Sequence, residues 1–252
     1  MKILHLDIET APNIGYFWQQ KTGFIPIGHI VEDGYTLCWA AKWHGEKEII
    51  FRSMNEHGEK KMLEDMHALL CEADAVVHYN GVKFDIPVLN AEFFLRGLAP
   101  PTPFHQIDLF QTVRKRFRFV SNKLDYVARR VGIGAKVQHK GMDLWRECMA
   151  GNKRSWATMK RYNIQDVRLL EKLYRKLLPW IQDHPNHALF KETDRPVCTN
   201  CGSHYVVKNG VETTKTMQYQ RYRCKACDTP LRGRFTILPK EKRKHVLTQS
   251  KL

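Results

Sequence analysis

The chain has 252 residues and a formal net charge of +15 at pH 7, a length that suits one large domain and a smaller appendage. No stretch approaches the ~18 to 20 consecutive apolar residues of a membrane-spanning helix, and the N-terminus begins without the apolar segment of a secretory signal. These features argue against a membrane-embedded or exported protein, and we expect a cytoplasmic one.

The positive charge is concentrated near the C-terminus. Residues 195–252 contain 13 Lys and Arg against 3 Asp and Glu, so they carry +10 of the total. A basic segment of this kind favours a polyanionic ligand, for which nucleic acid, either DNA or RNA, is the commonest choice. The alternative is a basic surface that only keeps the protein soluble.

The first predicted element is a strand over about residues 2–9 that ends in two acids. Side chains alternate along a strand, so Asp7 and Glu9 share one face while Leu4, Leu6 and Ile8 share the other. Two carboxylates side by side near a core raise each other's pKa unless a positive charge lies between them. This pattern favours a divalent cation.

Further elements follow in alternation and predict a three-layer α/β domain, a mixed sheet flanked by helices. Their expected ranges are strands at 35–43 and 48–52 that form a hairpin, a helix at 55–71, a strand at 74–79, a helix at 84–98 and a strand at 104–110.

A basic segment with interleaved aromatic residues lies between residues 112 and 132. Its cations could form a solvated helix face, or they could grip a nucleic-acid backbone while the aromatic rings stack on bases. On the second interpretation the expected contacts are Arg114, Lys115, Arg116 and Arg118.

The longest helix signal covers residues 155–180, with Ser155 as the expected N-cap. On a helical wheel Asp166 falls within an apolar stripe, and Tyr162 lies one turn earlier on that face. A carboxylate that faces the core breaks an otherwise well-sorted pattern, and such breaks are expected at functional sites.

Two other acids have competing interpretations. Asp85 precedes a helix with an early proline, so it could cap that helix or belong to the acidic site. For Asp108 a helix cap or surface position is favoured over a further acid of the site. We expect His78 and His105 to be packed or capping residues rather than metal ligands, because carboxylates already provide a set of hard ligands.

Four cysteines near the C-terminus have the spacing of a metal site. Two Cys-x2-Cys pairs, Cys198 with Cys201 and Cys224 with Cys227, are separated by 22 residues, which predicts a zinc ribbon with one structural Zn²⁺. A rubredoxin-like iron site is the weaker alternative. The expected nucleic-acid contacts of the ribbon are Arg221, Arg223 and Lys225, and the alternative is a ribbon that docks on a protein.

Three segments together resemble the motifs of a known family. Asp7-Ile8-Glu9-Thr10, Asn80 to Asp85 and Tyr162 to Asp166 closely resemble, in order and separation, the three motifs of the DnaQ-like, or DEDD, 3′-5′ exonuclease superfamily. That superfamily has an RNase H-like fold. The likeness covers roughly residues 1–180, and the position of Tyr162 four residues before Asp166 resembles the tyrosine subclass.

The resemblance implies hydrolysis of phosphodiester bonds with two Mg²⁺ or Mn²⁺ ions and release of 5′ nucleoside monophosphates. It implies that Asp7 bridges the ions, that Glu9 and Asp166 complete one site, and that Asp85 holds the second ion. Tyr162 would orient the attacking water, and Asn80 would contact the substrate.

We therefore expect an exonuclease domain at residues 1–182, a linker at 183–197, a zinc ribbon at 198–237 and a basic tail at 238–252. Three other functions remain open at this point. They are a structure-specific endonuclease on the same fold, a non-catalytic nucleic-acid-binding module, and an adaptor whose ribbon binds another protein.

Overall fold

The computed structural model describes residues 1–19 and 23–250. The chain divides into two compact units, Met1–Tyr174 and Arg175–Leu252. Within the described parts of the chain, no helix is both long and apolar enough to cross a membrane.

The strands and helices are numbered in chain order. The strands are β1 (Ile3–Thr10), β2 (Ile14–Gly15), β3 (Ile30–Glu32), β4 (Thr36–Trp43), β5 (Ile50–Ser53), β6 (Ala75–His78), β7 (His105–Asp108), β8 (Val206–Thr213), β9 (Gln218–Cys224) and β10 (Pro230–Thr236). The helices are α1 (Met54–His57), α2 (Glu59–Glu72), α3 (Asp85–Leu95), α4 (Leu109–Arg116), α5 (Leu124–Arg130), α6 (Met142–Met149), α7 (Lys153–Leu177) and α8 (Lys240–Lys244).

A five-stranded mixed sheet organises the first unit, in the order β5-β4-β1-β6-β7. β4 is antiparallel to β1 and β5, whereas β6 is parallel to β1 and β7. β1 is therefore central, with neighbours on both sides. The expected mixed sheet flanked by helices is confirmed.

Apolar clusters cover both faces of this sheet. The even-numbered side chains of β1, from Leu4 to Ile8, pack with residues of α2 and α3 such as Met66 and Phe93. The second cluster joins β4 to α6 and α7, for example through Ala40 and Met159. Because apolar side chains fill the even face of β1, the odd-numbered residues face the layer that contains α7.

Several predicted element boundaries differ from the observed ones, and three of the differences have a local cause. The helix predicted at 55–71 is interrupted at Gly58, whose φ of +74° suits glycine, so it forms α1 and α2. The strand predicted at 104–110 ends at Asp108, because this carboxylate accepts the backbone N–H groups that begin α4. The helix predicted from Ser155 begins two residues earlier, because the side chain of Asn152 accepts the N–H groups of Arg154 and Ser155.

The second unit contains a three-stranded antiparallel sheet in the order β10-β9-β8. β8 and β9 overlap two segments that are strand-like in the sequence, residues 204–208 and 217–223, whereas β10 was not predicted. α8 lies within the predicted basic tail, and the last two residues of that tail lie outside the described residues. The predicted limits at 182, 197 and 237 remain predictions.

Candidate active site and metal centres

Three predicted acids meet where β1 faces α7. Asp7 and Glu9 project from the odd face of β1, and Asp166 is buried on α7 with 1% of its surface exposed. One oxygen from each carboxylate lies within 4.8 Å of the others. Strand alternation had predicted that Asp7 and Glu9 share a face, and the helical wheel had predicted that Asp166 faces the core.

Asp85 reaches the same stretch of β1. Its Oδ1 accepts a hydrogen bond of 3.2 Å from the backbone N–H of Ile8, the residue between Asp7 and Glu9. The side chain therefore ties α3 to the acidic strand. It makes no cap of its own helix, because α3 has Phe84 at the N-cap without a side-chain cap bond.

Burial and mutual repulsion raise the pKa values of the acids. Burial, and then repulsion from Asp166 and Glu9, hold the pKa of Asp7 well above its usual range. Burial and Asp166 raise the pKa of Glu9 to about 8, and burial raises the pKa of Asp85 to about 6. A divalent cation would relieve this repulsion.

The donor set suits a hard metal ion. All its atoms are carboxylate oxygens, which Mg²⁺ and Mn²⁺ prefer. The Oδ1 of Asp166 is buried without a hydrogen-bond partner, and such an atom is costly unless a ligand completes it. The residues present therefore fit the metal site that the sequence predicted.

Lys136 is a member of the site that sequence reasoning missed. Its Nζ lies 2.5 Å from Oδ2 of Asp166 and donates to the hydroxyl of Tyr162 over 3.1 Å. Burial opposes its charge, but Asp166 and Asp7 raise the pKa of the ammonium above its usual value. Lys136 belongs to a segment between α5 and α6 without hydrophobic periodicity, so no pattern indicated its position.

Asn163 is the second residue that was missed. Its Nδ2 donates to Oδ2 of Asp7 over 2.7 Å and to the Asp7 carbonyl over 3.2 Å, and the residue is fully buried. Asn163 therefore fixes the rotamer of the Asp7 carboxylate. Its place three residues before Asp166, on the same helical face, was the available signal.

Tyr162 presents its hydroxyl to the acidic site and packs its ring elsewhere. The ring makes edge contacts with His139 and Trp145, at centroid distances of 4.8 and 6.1 Å. Burial and the nearby Asp166 raise the pKa of the phenol above its usual value. The hydroxyl therefore keeps its proton and remains a hydrogen-bond donor.

A tight turn after β6 supports the Asp85 helix. Asn80 has a φ of +70° and donates its backbone N–H to Asp108 over 2.9 Å. A Cβ on Gly81 would lie 2.4 Å from the ring of His78, so glycine is required there. Asp108 is thus a cap for both the turn and α4, in agreement with the favoured interpretation.

The two histidines differ in their surroundings. His78 is fully buried; its Nδ1 accepts from Gly81 and its Nε2 lies 3.1 Å from Oε1 of Gln106. Burial lowers the pKa of His78, so its ring is neutral. His105 is exposed.

The predicted basic contacts of the first unit are solvent-accessible. Arg114, Lys115 and Arg116 form the last turn of α4, where cations also suit the helix dipole. Arg118 follows and is exposed. The flanking Phe117 and Phe119 stack on each other at a centroid distance of 5.4 Å.

In the second unit the four predicted cysteines converge. One Sγ from each of Cys198, Cys201, Cys224 and Cys227 lies within 4.8 Å of the others. All four are unbridged. Four thiols this close together could bind zinc.

The two cysteine pairs form equivalent turns. In each, the first cysteine donates its N–H to the carbonyl five residues later and accepts from the N–H four residues later. That fourth residue has a positive φ, +69° at Gly202 and +61° at Asp228. The repeated geometry presents two pairs of sulfur atoms to one point.

The three basic residues predicted to contact nucleic acid in the second unit differ in their contacts within the protein. Arg221 donates to the Asn209 carbonyl over 3.2 Å, and Arg223 pairs with Asp228 at 3.2 Å. Lys225 is exposed. Two of the three predicted contacts therefore also have a role within the ribbon.

Comparison with known proteins identifies the family. Residues 32–178 match the family model described as RNase_H superfamily. No curated protein sequence matches significantly. The fold is similar to that in the structure of the family B DNA polymerase from the hyperthermophilic archaeon Pyrobaculum calidifontis, with a TM-score of 0.54 and 20% identity.

The similarity covers 71% of this chain and 24% of the polymerase, so the chain corresponds to about a quarter of that protein's length. At this identity the likeness shows the fold alone. The match of residues 32–178 to the RNase_H superfamily confirms the expected RNase H-like fold.

The family match begins after β1 and ends one residue beyond α7. It includes Asp85, Tyr162 and Asp166 and covers more than half of the chain. The chain therefore belongs to the RNase_H superfamily, and this membership supports a metal-dependent nuclease that acts on nucleic acid.

Proposed function

We propose that the protein is a 3′-5′ exonuclease that hydrolyses phosphodiester bonds of DNA or RNA with two Mg²⁺ or Mn²⁺ ions. The observation that carries the proposal is the meeting of Asp7, Glu9 and Asp166 with oxygens within 4.8 Å. Asp85 is joined to the same strand through Ile8. These four carboxylates support the DEDD pattern that the resemblance implies.

Asp7, Glu9 and Asp166 would hold one ion, and Asp7 with Asp85 the other. Bound divalent ions supply an activated water and neutralise charge on the leaving oxygen. Asn163 donates a hydrogen bond of 2.7 Å to the Asp7 carboxylate. This bond fixes the orientation of the carboxylate. Such supporting contacts tune metal affinity as well as geometry.

Tyr162 and Lys136 would act on the substrate side. The protonated Tyr162 hydroxyl can donate to the attacking water and orient it, as the tyrosine subclass implies. The Lys136 ammonium, 3.1 Å from that hydroxyl, offers a positive charge to the anionic phosphate. Positioned charge of this kind stabilises the developing charge in the transition state.

The four cysteines would bind one structural Zn²⁺, and the basic ribbon would bind nucleic acid. Lys225 and the cations of β10 and α8 supply phosphate contacts on this view. The cations at the end of α4 supply others in the first unit. Phosphate contacts give affinity without sequence preference.

The test is cleavage of end-labelled single- and double-stranded DNA and RNA with Mg²⁺ or Mn²⁺. We expect a single-nucleotide ladder from the 3′ end and release of 5′ mononucleotides. Discrete internal fragments would instead identify an endonuclease on this fold. Binding without cleavage of any substrate would identify a non-catalytic module.

The matched variant is Asp7→Asn, which keeps the shape but removes the bridging charge. We expect it to abolish cleavage and to leave oligonucleotide affinity within a fewfold of the parent, because the basic surfaces remain. Asp143→Asn, a change of an exposed acid on α6, is the control and should cleave normally. Full activity of Asp7→Asn would contradict the assignment.

A further inference from the structure

An exposed aromatic hairpin follows the acidic strand and has no role in the site described above. We define the aromatic hairpin as residues 14–19 and 23–32, which include β2 and β3. Trp18 is 96% exposed, Phe24 80% and Tyr16 78%. Large aromatic side chains in contact with water, grouped on one element, mark an interaction surface.

The base of the hairpin is anchored at the end of β1. The N–H of Ala11 donates to the Tyr35 carbonyl over 2.8 Å, and Asn13 accepts the N–H of Gly34. A Cβ on Gly34 would lie 2.5 Å from the Ala11 carbonyl oxygen. This close approach, which only glycine permits, holds the hairpin against the strand that carries Glu9.

The aromatic residues form a cavity of about 250 Å³. Phe17, Trp18 and Phe24 line it with aromatic rings, and Gln19 and His29 add hydrogen-bonding groups to the lining. The volume is below the roughly 300–1,000 Å³ of pockets for drug-sized ligands, so it suits a single flat ring. Ring faces with hydrogen-bonding groups beside them match a nucleobase.

Two other occupants fit less well. An aromatic cage for a cation gains from a nearby carboxylate, yet none of the described residues lining this cavity is acidic. A purely apolar partner leaves Gln19 and His29 without ligands. An unpaired base uses both features.

The position along the chain also favours nucleic acid. Trp18 follows Glu9 by nine residues, so the backbone limits their separation to roughly 30 Å, which about nine stacked nucleotides cover. A strand whose end lies at the acids therefore comes within reach of the hairpin.

We propose that the aromatic hairpin is a base-stacking site for an unpaired nucleotide of the substrate strand. The proposal rests on the proposed nuclease function, and it names the substrate class as a strand with unpaired bases near its 3′ end. Stacking tolerates any base, because every base has a π face. The site therefore selects unpaired over paired strands and not a sequence.

The test measures binding in the Asp7→Asn background, where cleavage does not interfere. The probes are a fluorescein-labelled single-stranded oligonucleotide, as DNA and as RNA, and a blunt duplex of the same sequence. We expect Trp18→Leu to weaken binding of the single strand at least roughly fivefold, the loss of one base stack, and to change duplex binding little. Trp18→Phe, which keeps a ring, should retain most of the affinity.

The matched control is Phe94→Ala, which removes an 83% exposed ring from α3. It should bind as the parent does. In a further set of oligonucleotides, an abasic residue replaces each nucleotide near the 3′ end in turn. At one position it should weaken binding to the parent as much as Trp18→Leu does, and at that position Trp18→Leu should cause no further loss of affinity.

Equal affinity of Trp18→Leu and the parent, or an equal loss in Phe94→Ala, would overturn the base-stacking site. The parent's cleavage assay is scored separately. If the parent cleaves but binding does not depend on Trp18, only the base-stacking proposal is overturned. If binding depends on Trp18 but the parent does not cleave, the base-stacking site is supported and the nuclease function is overturned.

Discussion

Lys136 is the cation on which the acidic site depends for charge balance. Its ammonium is 2.5 Å from a buried oxygen of Asp166 and faces Asp7 and Tyr162 as well. Removing one partner of a buried ion pair leaves the other charge uncompensated, which costs more than the pair itself contributes. A metal ion could compensate for the same charge.

We therefore predict that Lys136→Met makes stability depend on metal. Without divalent ions the variant should lose roughly 3 kcal/mol, the lower end for a broken buried pair, because the Lys136 side chain is still 27% exposed. Added Mn²⁺ should raise its melting temperature more than that of the parent. Differential scanning calorimetry with and without Mn²⁺ measures both effects.

Lys140→Met is the matched control. Lys140 pairs with Glu147 on the surface, with 64% and 34% of the two side chains exposed. Such pairs contribute about 0–1 kcal/mol, so the control should melt close to the parent in either buffer. If Mn²⁺ raised the melting temperature of Lys136→Met only as much as that of the parent, this result would contradict the charge-balance role of Lys136.

Sequence patterns found three acids of the site because those acids lie on regular elements whose periodicity shows where they face. Asp7 and Glu9 follow strand alternation, and Asp166 breaks the apolar stripe of α7. Lys136 lies on no regular element, so only tertiary structure brings it to the acids. Asn163 shares a helical face with Asp166, but an asparagine on a helix has many ordinary roles.

At the scale of elements, local hydrogen bonds decided where helices and strands end. Asp108 and Asn152 accept the first N–H groups of α4 and α7, and each moved a predicted boundary. β10 was not predicted, because Pro230–Thr236 has no strong apolar pattern.

The two cysteine turns allow a comparison of one position in two contexts. Gly202 and Asp228 both have positive φ. At Gly202 a Cβ would also lie 3.0 Å from His187 Nδ1 and 3.2 Å from Lys191 Nζ. A Cβ at Gly202 therefore adds both backbone strain and a close contact.

We predict that Gly202→Ala destabilises the ribbon by about 1–2 kcal/mol and speeds transfer of zinc to a chromophoric chelator. Asp228→Ala is the control, because that position already holds a side chain and loses only a surface pair with Arg223, about 0–1 kcal/mol. Equal zinc release from the two variants would show that this strain is not limiting.

At the scale of the molecule, charge and cysteine spacing predicted a chain of two parts, because both signals concentrate beyond residue 195. The sequence also indicates that this part is too short to build a core of its own. Among the residues of β8, β9 and β10, only Cys224 is buried. An apolar core of this size does not hold three strands together.

The ribbon should therefore owe its folding to zinc. We predict that Cys224→Ser, which removes the buried ligand, abolishes protection of the β8–β10 amides in hydrogen-exchange mass spectrometry. The amides of β1 and β4 should stay protected, because the central sheet of the first unit has apolar clusters on both faces.

Cys71→Ser, a change outside the cluster, should leave both regions protected and one zinc bound per chain. Protected β8–β10 amides in zinc-free Cys224→Ser would show that packing alone folds the ribbon. Loss of protection in β1 as well would show that the two units unfold together. The expected result is that zinc protects the amides of the ribbon alone, and that the fold around the acidic site does not depend on zinc.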